Sequence, residues 1–293
     1  MTRGPLARKP IGEANVLIAG LIRDGAASLD REVRQLLAAT AGFHRVQVLL
    51  IESDSTDDTL ATLTGMARRA EHIQFLSLGQ LEPSLPQRTA RLAHCRNAYI
   101  EAVRTDPRYR DVDYVLVSDL DGMNGLLDSA ALHSCFQVQE AWDVLTANQG
   151  GPYYDIWALR HPDWSPDDCL RLLSRLEPLF GHEAARDIAV YSRQVRIPRT
   201  SPPIAVQSAF GGLALYTREA LLSGGYEGLD PEGFEVCEHV PHHARICAAG
   251  HRIFINPQLI NTAWTIHTRN KQMGRVIKHA IRTGVRQWRQ NKK

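Results

Sequence analysis

The chain is most constrained by an alternation of short apolar runs and amphipathic segments between Asn15 and Gly122. Buried strands are predicted for the apolar runs, at Asn15–Ile22, Val46–Ile51, Ile73–Leu78 and Tyr114–Ser118. Helices are predicted between them, at Leu29–Ala39, from a capping box of Ser55 and Asp58 through Met66, and around Arg91 and Arg96. This alternation indicates an α/β fold with a mixed, mainly parallel, Rossmann-like sheet and helices on both faces.

The strand that begins at Tyr114 ends in an acidic pair, Asp119 and Asp121. Side chains alternate along a strand, so the two carboxylates leave the backbone on the same side. Oxygen ligands of this kind suit Mg²⁺ or Mn²⁺, and the carboxyl edge of an open α/β sheet is where ligands bind. A second Asp-x-Asp, Asp111 and Asp113, precedes the strand and is predicted to be a solvated turn. Position therefore favours Asp119 and Asp121 as the metal site.

Common nucleotide-binding loops are absent from the sequence. The first strand is followed by Gly20–Gly25, which is not a G-x-G-x-x-G turn, and no phosphate-binding G-x-x-x-x-G-K-[ST] loop occurs. A bound nucleotide would then be held by acids, arginines and a metal. Glu52, at the end of the second strand, could accept hydrogen bonds from a nucleobase or ribose. Arg96 is a candidate for diphosphate recognition, since a guanidinium matches phosphate geometry.

The second half of the chain is less regular. Its predicted elements are a strand at Trp142–Asn148, a helix at Asp167–Leu176, a strand pair over Ala205–Tyr216, a short helix at Glu219–Leu222, a helix at His242–Ala249 and a strand at Arg252–Asn256. The strand pair is interrupted at Gly211–Gly212, which is either a β-bulge or a point of close approach to a substrate. His239, His242 and His243 leave a zinc site open as a minor alternative, since no Cys or His pair with zinc-site spacing accompanies them.

Composition excludes several classes of protein. Five cysteines are scattered without a C-x-x-C pair, which favours reduced thiols in a cytosolic setting over a disulfide framework. No apolar run reaches membrane-spanning length. The run at Val16–Ile22 is followed at once by Arg23 and Asp24, so a buried strand is predicted there rather than a signal peptide.

The order of three motifs resembles the nucleotide-sugar half of GT-A fold glycosyltransferases. The motifs are Glu52–Thr59, Arg96-Asn97 and Ser118–Asp121. The first is similar to the acid-Gly-Ser-Thr-Asp-Gly-Thr signature of a large transferase family, with Asp54 and Asp58 in place of its glycines. The chain more closely resembles the fungal capsule-associated α-1,3-mannosyltransferase family, from about Asn15 to His267. The segments that carry this second resemblance are Arg23-Asp24, Glu52–Asp57, Arg96-Asn97, Asp119–Asp121 and Tyr154–Arg160.

The resemblance implies roles for individual residues. The metal ligands would be Asp119, Asp121 and His267. The residues on the nucleotide-sugar side would be Arg23, Asp24, Glu52, Asp54, Arg96 and Asp119. The residues on the acceptor side would be Tyr154, Asp155, Trp157, Gly211, Gly212 and His239. Glu238 would face the acceptor hydroxyl, as general base in an inverting reaction or as an orienting group in a retaining one, and Asp121 would be the second catalytic residue.

The C-terminal segment is basic and has no acidic residue from Arg269 to Lys293. Its apolar positions, which include Ile277, Ile281 and Trp288, predict an amphipathic helix that either binds an anionic membrane surface or packs on the domain. The expected organisation is a flexible lead-in over 1–14, one GT-A-like domain over 15–268 and this helix over 269–293. Within the domain, 15–122 would form the nucleotide-sugar half and 123–268 the acceptor half.

These observations predict a metal-dependent glycosyltransferase that moves a hexose, with mannose as one candidate, from a nucleoside diphosphate sugar to a glycan or glycolipid acceptor. The expected setting is surface polysaccharide synthesis in the cytoplasm, with peripheral attachment to the inner face of the membrane. Two alternatives stay open. One is a sugar-1-phosphate nucleotidyltransferase, which needs a Gly-rich basic loop where this chain has Gly20–Gly25. The other is a non-enzymatic module that binds membrane or, less favoured, nucleic acid.

Overall fold

The protein is built on one eight-stranded sheet, seen in a computed structural model that describes residues 8–268. The strands are β1 (Asn15–Ile22), β2 (Arg45–Glu52), β3 (Ile73–Ser77), β4 (Tyr114–Asp119), β5 (Val144–Gln149), β6 (Ile204–Val206), β7 (Leu213–Thr217) and β8 (Ile253–Thr262). Their order across the sheet is β3-β2-β1-β4-β7-β5-β8-β6. The predicted α/β class with a mixed, mainly parallel sheet is confirmed.

Helices cover both faces of the sheet. They are α1 (Leu29–Ala39), α2 (Thr59–Arg69), α3 (Arg88–Thr105), α4 (Ser129–Gln137), α5 (Cys169–Phe180), α6 (His182–Ala189), α7 (Arg218–Ser223) and α8 (His239–Ala248). Residues of α1, α2 and α4 join one core cluster and residues of α3, α7 and α8 the other. Strand β4 feeds both clusters by simple alternation, with Tyr114 and Leu116 on one face and Val115 and Val117 on the other.

The direction of the sheet changes beside β4. Strands β1 to β4 pair in parallel, whereas β7 runs antiparallel between β4 and β5. Asp119 is therefore at the carboxyl end of the last parallel strand before the change. The strand order also reverses between β1 and β4, and in open α/β sheets a crevice at such a switch point is the usual ligand site.

Several local predictions were wrong in detail. Ser55 does not cap α2: the helix begins at Thr59, whose backbone N–H donates to Asp57, and the Ser55 hydroxyl instead accepts from the backbone of Asp24. The helix predicted at 167–176 is observed as α5, which extends to Phe180, but the following segment is not a loop: α6 begins directly after Gly181. Helix α4 was not predicted.

The two strands predicted as a pair over 205–216 are not neighbours. Strand β6 pairs with β8 at the sheet edge, and β7 lies between β4 and β5. Two residues of the predicted lead-in over 1–14 contact the domain. Arg8 donates to the carbonyl of Val138 and covers the ring of Trp142, and Lys9 pairs with Asp113.

Two further findings concern the described residues only. All five cysteines are free thiols, four of them buried. Between residues 8 and 268, no helix combines the length and the apolarity that crossing a bilayer requires. The predicted helix at 269–293 lies outside the described residues.

Candidate active site

The acidic pair is held rigidly at the end of β4. The backbone N–H of Asp119 donates to the carbonyl of Gly212 over 2.9 Å. The buried side chain of Asn124 donates to the Asp119 carbonyl over 2.8 Å and to the Ser118 hydroxyl over 3.0 Å. The turn that carries Asp121 is thereby fixed to the sheet, while the Asp121 side chain itself is exposed. Sequence reasoning missed Asn124, because an Asn in a turn has no distinctive pattern.

A buried ion pair lies directly behind Asp119. Arg96 of α3 donates through Nε to Glu238 Oε1 over 2.9 Å and through Nη2 to Asp119 Oδ1 over 3.2 Å. Its guanidinium carbon is 5.2 Å from the ring centre of Phe210 and 5.7 Å from that of Tyr226. Among residues 8–268, Nη1 of Arg96 has no hydrogen-bond partner. A buried donor of this kind is costly unless a ligand satisfies it.

The structure gives Glu238 a different position from the one predicted. The residue is only 4% exposed, it precedes α8, and its Oε1 is occupied by Arg96. A general base needs an accessible oxygen within hydrogen-bond reach of the acceptor hydroxyl. In this arrangement Glu238 instead orients Arg96 toward Asp119.

Negative charge accumulates around the acidic pair. Burial raises the pKa of Asp119 to about 7, against the opposing charge of Arg96. The carboxylates of Asp121, Glu238 and Asp155 raise this pKa further. Since the Asp119 side chain is 34% exposed, water at the mouth of the cleft offsets part of the effect. One contacting guanidinium does not balance four carboxylates, so the site suits a cation.

The Gly211–Gly212 turn lies beside Asp119, whose backbone N–H donates to the Gly212 carbonyl. Both residues have positive φ, 69° and 84°, a conformation that favours glycine. A Cβ at Gly211 would lie 2.8 Å from the carbonyl oxygen of Ala147, and one at Gly212 would lie 3.1 Å from the Tyr154 hydroxyl. The backbone N–H of Gly211 donates to Asp155 over 2.9 Å. Asp155 and this turn, which were both predicted on the acceptor side, are therefore in contact.

Two residues that sequence reasoning missed also fix this turn. The buried amides of Asn261 and Gln149 donate to the Gly211 carbonyl over 2.7 Å and 3.1 Å. They come from β8 and β5, which are neighbours in the sheet but distant in the chain. A buried Asn or Gln in a strand could have suggested a structural hydrogen bond, although not its partner.

The remaining predicted acceptor-side residues separate into two groups. Tyr154 lies at the site, and its ring is stacked on that of His267 with centres 6.0 Å apart. Trp157 is directed elsewhere, because its indole N–H donates over 3.1 Å to Asp168, the residue that caps α5. Trp157 therefore anchors a helix, and its predicted contact with substrate is not supported by its position.

His239 is 2% exposed and stacks on Phe210 with ring centres 3.8 Å apart. Burial lowers the pKa of His239 well below its ordinary value, so its ring is neutral. The ring nitrogen Nε2 is 3.8 Å from Glu238 Oε1. His239 supports the Arg96–Glu238 pair from the side of Phe210 and is not itself open to the cleft.

No preformed three-ligand metal site occurs within residues 8–268. No group of three His, Cys, Asp or Glu side chains there is placed to hold an ion. This argues against the zinc alternative, since His243 is engaged with the hydroxyls of Ser208 and Tyr216 at 3.0 Å and 2.7 Å. It also means that Asp119, Asp121 and His267 do not form a closed cluster without a ligand.

The residues predicted on the nucleotide side follow β1 and β2. Glu52 is buried, and its carboxylate accepts from the backbone of Ser55 and the hydroxyl of Ser77. Asp54 has φ of 58° and accepts from the backbone N–H groups of Leu81 and Glu82 at 2.8 Å and 2.9 Å. Both acids therefore shape the loops rather than present free oxygens.

Arg23 and Asp24 are the exposed members of this group. Asp24 has φ of 48° and accepts from the backbone of Thr56 over 2.7 Å, and this hydrogen bond lowers its pKa. Arg23 is 3.4 Å from Glu82. Arg23 and Asp24 follow β1, so they lie at the same carboxyl edge of the parallel strands as Asp119.

Comparison with known proteins supports the fold. No protein-family model and no curated protein matches the chain. The mannosyltransferase PcManGT from Pyrobaculum calidifontis, in complex with GDP-Man and Mn²⁺, is similar in structure, with 14% identity and a TM-score of 0.50. The match covers 92% of this chain and 61% of that chain, so this chain spans about three fifths of the length of that mannosyltransferase.

Two other solved structures are similar at lower scores. TarS from S. aureus is 15% identical, with a TM-score of 0.46, over 85% of this chain and 60% of its own. Glucosyl-3-phosphoglycerate synthase from M. tuberculosis, in complex with phosphoglyceric acid, is 13% identical, with a TM-score of 0.44, over 90% and 75%. The likeness to PcManGT, at 14% identity, shows the fold alone, which is of the GT-A type. The specific resemblance to the fungal mannosyltransferases stays a prediction.

Proposed function

We propose that this chain is a metal-dependent glycosyltransferase that moves a hexose from a nucleoside diphosphate sugar to a glycan or glycolipid acceptor. The observation that carries the proposal is the meeting of Asp119 and Asp121, the buried Arg96–Glu238 pair and the Gly211–Gly212 turn at one edge of the sheet. The GT-A-type fold supports it. Because PcManGT is in complex with GDP-Man and Mn²⁺, mannose is the first donor sugar to test.

The side chains at the site are suitable ligands for a hard divalent cation. Asp119 and Asp121 offer carboxylate oxygens, and the exposed Asp121 leaves room for phosphate oxygens beside it. The surrounding carboxylates add negative charge that Arg96 alone does not balance. We assign Asp119 and Asp121 as ligands of Mn²⁺ or Mg²⁺, with His267 as a further ligand once the donor is bound. A cation there would neutralise charge on the leaving diphosphate.

The side chains around the acidic pair then have defined roles. Arg96 is as buried as Glu238, which holds its guanidinium beside Asp119. Its positive charge would stabilise the departing diphosphate electrostatically in a site shielded from water. The Gly211–Gly212 turn would position Asp155 and Tyr154 on the acceptor side, since both residues contact it.

The nucleotidyltransferase alternative is less well supported. Such an enzyme needs a flexible Gly-rich loop after the first strand. Gly20 instead lies within β1, and a Cβ there would be 2.9 Å from the carbonyl oxygen of Ser118 on β4. Gly20 thus allows β1 and β4 to lie close together, and this position does not provide a phosphate-holding loop.

A panel of nucleotide sugars tests the proposal. We expect one donor, in the presence of Mn²⁺ or Mg²⁺, to raise the melting temperature and to be hydrolysed slowly without an acceptor. Asp121→Ala should abolish metal-dependent hydrolysis while the circular dichroism spectrum stays unchanged. Asp111→Ala is the matched control, because Asp111 belongs to the exposed Asp-x-Asp outside the site. Full hydrolysis by Asp121→Ala, or by the wild type with a chelator, would contradict the metal assignment.

The biological setting extends this proposal. We place the acceptor among the glycans or glycolipids of surface polysaccharide synthesis, on the strength of the sequence resemblance. The enzyme would act in the cytoplasm, at the inner face of the membrane. The basic segment at 269–293 would supply the attachment, and it is tested separately below.

A further inference from the structure

Asp155 stands apart from the other carboxylates near Asp119. Burial is the largest cause of the raised pKa of Asp119, and three neighbouring carboxylates raise it further, namely Asp121, Glu238 and Asp155. Asp119 and Asp121 are assigned to the cation. Glu238 is buried, and its Oε1 is held by Arg96. Asp155 has neither of these engagements, and its side chain is half-buried rather than enclosed.

The Gly211–Gly212 turn links Asp155 to Asp119. The backbone N–H of Gly211 donates to Asp155 Oδ2 over 2.9 Å, and the carbonyl of Gly212 accepts from the backbone N–H of Asp119, also over 2.9 Å. A second, longer hydrogen bond of 3.4 Å joins the backbone N–H of Ala158 to Asp155 Oδ1. Within residues 8–268, both hydrogen bonds that Asp155 accepts thus come from the backbone, and they fix the direction of its carboxylate.

The Asp155 carboxylate keeps capacity for a ligand. An ionised carboxylate has about four lone-pair sites, and the two backbone groups use one on each oxygen. Burial raises the pKa of Asp155, while the hydrogen bonds from Gly211 and Ala158 oppose this effect. Because no arginine neutralises it as Arg96 neutralises Glu238, this carboxylate repels a diphosphate, whereas a neutral hydroxyl group can donate to it. Asp155 is therefore suited to the acceptor rather than to the donor.

We propose that Asp155 is the catalytic base that takes the proton from the acceptor hydroxyl group. This inference rests on the proposed transferase function and adds the group that activates its acceptor. In this step the acceptor oxygen forms a bond to the anomeric carbon of the donor sugar, while its proton passes to Asp155. The bond between that carbon and the diphosphate oxygen breaks, and its electron pair leaves with the diphosphate. The acceptor oxygen enters from the face opposite to the diphosphate, so the anomeric configuration is inverted.

The test uses Mn²⁺ and GDP-mannose, or the donor that the panel selects in its place, with methanol as the acceptor. A methyl glycoside keeps the anomeric configuration in which it forms, so proton NMR of the product should show the configuration opposite to that of the donor. Asp155→Asn still accepts from the Gly211 N–H but cannot take a proton. It should lower kcat for transfer at least about 100-fold, while the calorimetric affinities for the donor and Mn²⁺ stay within about twofold of the wild type.

Asp106→Asn is the matched control. Asp106 is also half-buried and accepts from a backbone N–H, that of Arg108, over 2.9 Å. It lies on the segment before β4, whereas Asp119 ends that strand. The kcat of Asp106→Asn should therefore equal that of the wild type.

Three results would overturn the inference. A methyl glycoside with the configuration of the donor would mean that no base acts opposite the diphosphate. Transfer by Asp155→Asn at the rate of the wild type would mean that the proton passes to another group. Loss of donor or Mn²⁺ affinity in Asp155→Asn would make Asp155 a donor-side residue. The transferase proposal fails in a different way, because the wild type would then neither bind nor hydrolyse any donor of the panel.

Discussion

At the scale of single residues, two aspartates adopt a backbone conformation with positive φ, which glycine usually occupies. Asp54, which stands where the related signature has Gly, has φ of 58°, and Asp24 has φ of 48°. Asp is among the few residues that tolerate this region, because its short carboxylate can hydrogen-bond locally. Here Asp54 secures the loop at Leu81 and Glu82, and Asp24 secures Thr56. At both positions the carboxylate adds hydrogen bonds between loops.

Glu238 provides the sharpest prediction at this scale. Glu238→Gln keeps the shape of the side chain but leaves Arg96 as a buried charge with a weaker partner. We expect donor binding, measured by calorimetry, to weaken together with transfer, and the free energy of unfolding to fall by about 2–4 kcal/mol. Glu101→Gln, which alters an exposed pair with Arg104, should change stability by less than about 1 kcal/mol. If transfer falls while donor binding is intact, Glu238 is a base after all.

At the scale of elements, α8 brings three buried histidines against the site. Burial lowers the pKa of His239 and His242 well below the ordinary value and lowers that of His243 to about 3. The hydroxyls of Ser208 and Tyr216 hold the two ring nitrogens of His243. This packing requires a neutral ring, so protonation of the ring at acidic pH should destabilise α8.

The sign of the pH effect follows from these values. Between the unfolded pKa of about 6.5 and the folded pKa of about 3, the unfolded chain binds a proton at His243 that the folded chain does not. The free energy of unfolding should therefore decrease as pH falls below 6.5, by about 2 kcal/mol from His243 alone between pH 7 and pH 5. Denaturant unfolding of His243→Gln at both pH values should show a pH dependence smaller by that amount.

His72→Gln is the control for this measurement, because His72 is exposed. Its pH dependence of stability should equal that of the wild type. An unchanged pH dependence in His243→Gln would mean that His243 is protonated or unfolded locally in the native state.

At the scale of the whole molecule, one sheet connects the residues predicted on the nucleotide-sugar side with those predicted on the acceptor side. Its parallel part carries the loops of Arg23, Asp24 and Asp119, and its other part supplies the Gly211–Gly212 turn. The antiparallel strand β7 lies between them and hydrogen-bonds to β4. The groups proposed to bind the donor and those proposed to bind the acceptor thereby belong to one sheet.

The proposed membrane attachment is also tested on the whole molecule. If the basic segment at 269–293 binds anionic lipid, liposome flotation of the full chain should decrease with salt, because exposed charges are screened over a Debye length of about 8 Å. Its apolar residues should leave a fraction bound at high salt, which Trp288→Ala should reduce. Deletion of 269–293 should abolish flotation and leave hydrolysis of the donor. Equal flotation with neutral and anionic vesicles would contradict the electrostatic part.

The sequence by itself determined the strands and the principal acidic pair. An apolar run such as Tyr114–Val117 can be buried on both faces only in a sheet that other elements cover on both sides. Such a run is a short stretch of the chain, so it can be recognised without knowledge of the tertiary structure. A polar break after such a run marks the strand end, so Asp119 and Asp121 could be placed at the carboxyl edge. Helices with clear apolar spacing, such as Leu29–Ala39, could also be predicted, because this spacing is likewise a property of a short stretch of sequence.

Only the tertiary structure decided which distant groups meet. Arg96 and Glu238 are separated by 142 residues, and their pairing depends on α3 and α8 packing on the same face of the sheet. The insertion of β7 between β4 and β5 brings Gly212 to Asp119, and Asn261 and Gln149 to Gly211. No short segment encodes such contacts, because their energy comes from burial and hydrogen bonding between elements that are remote in the chain.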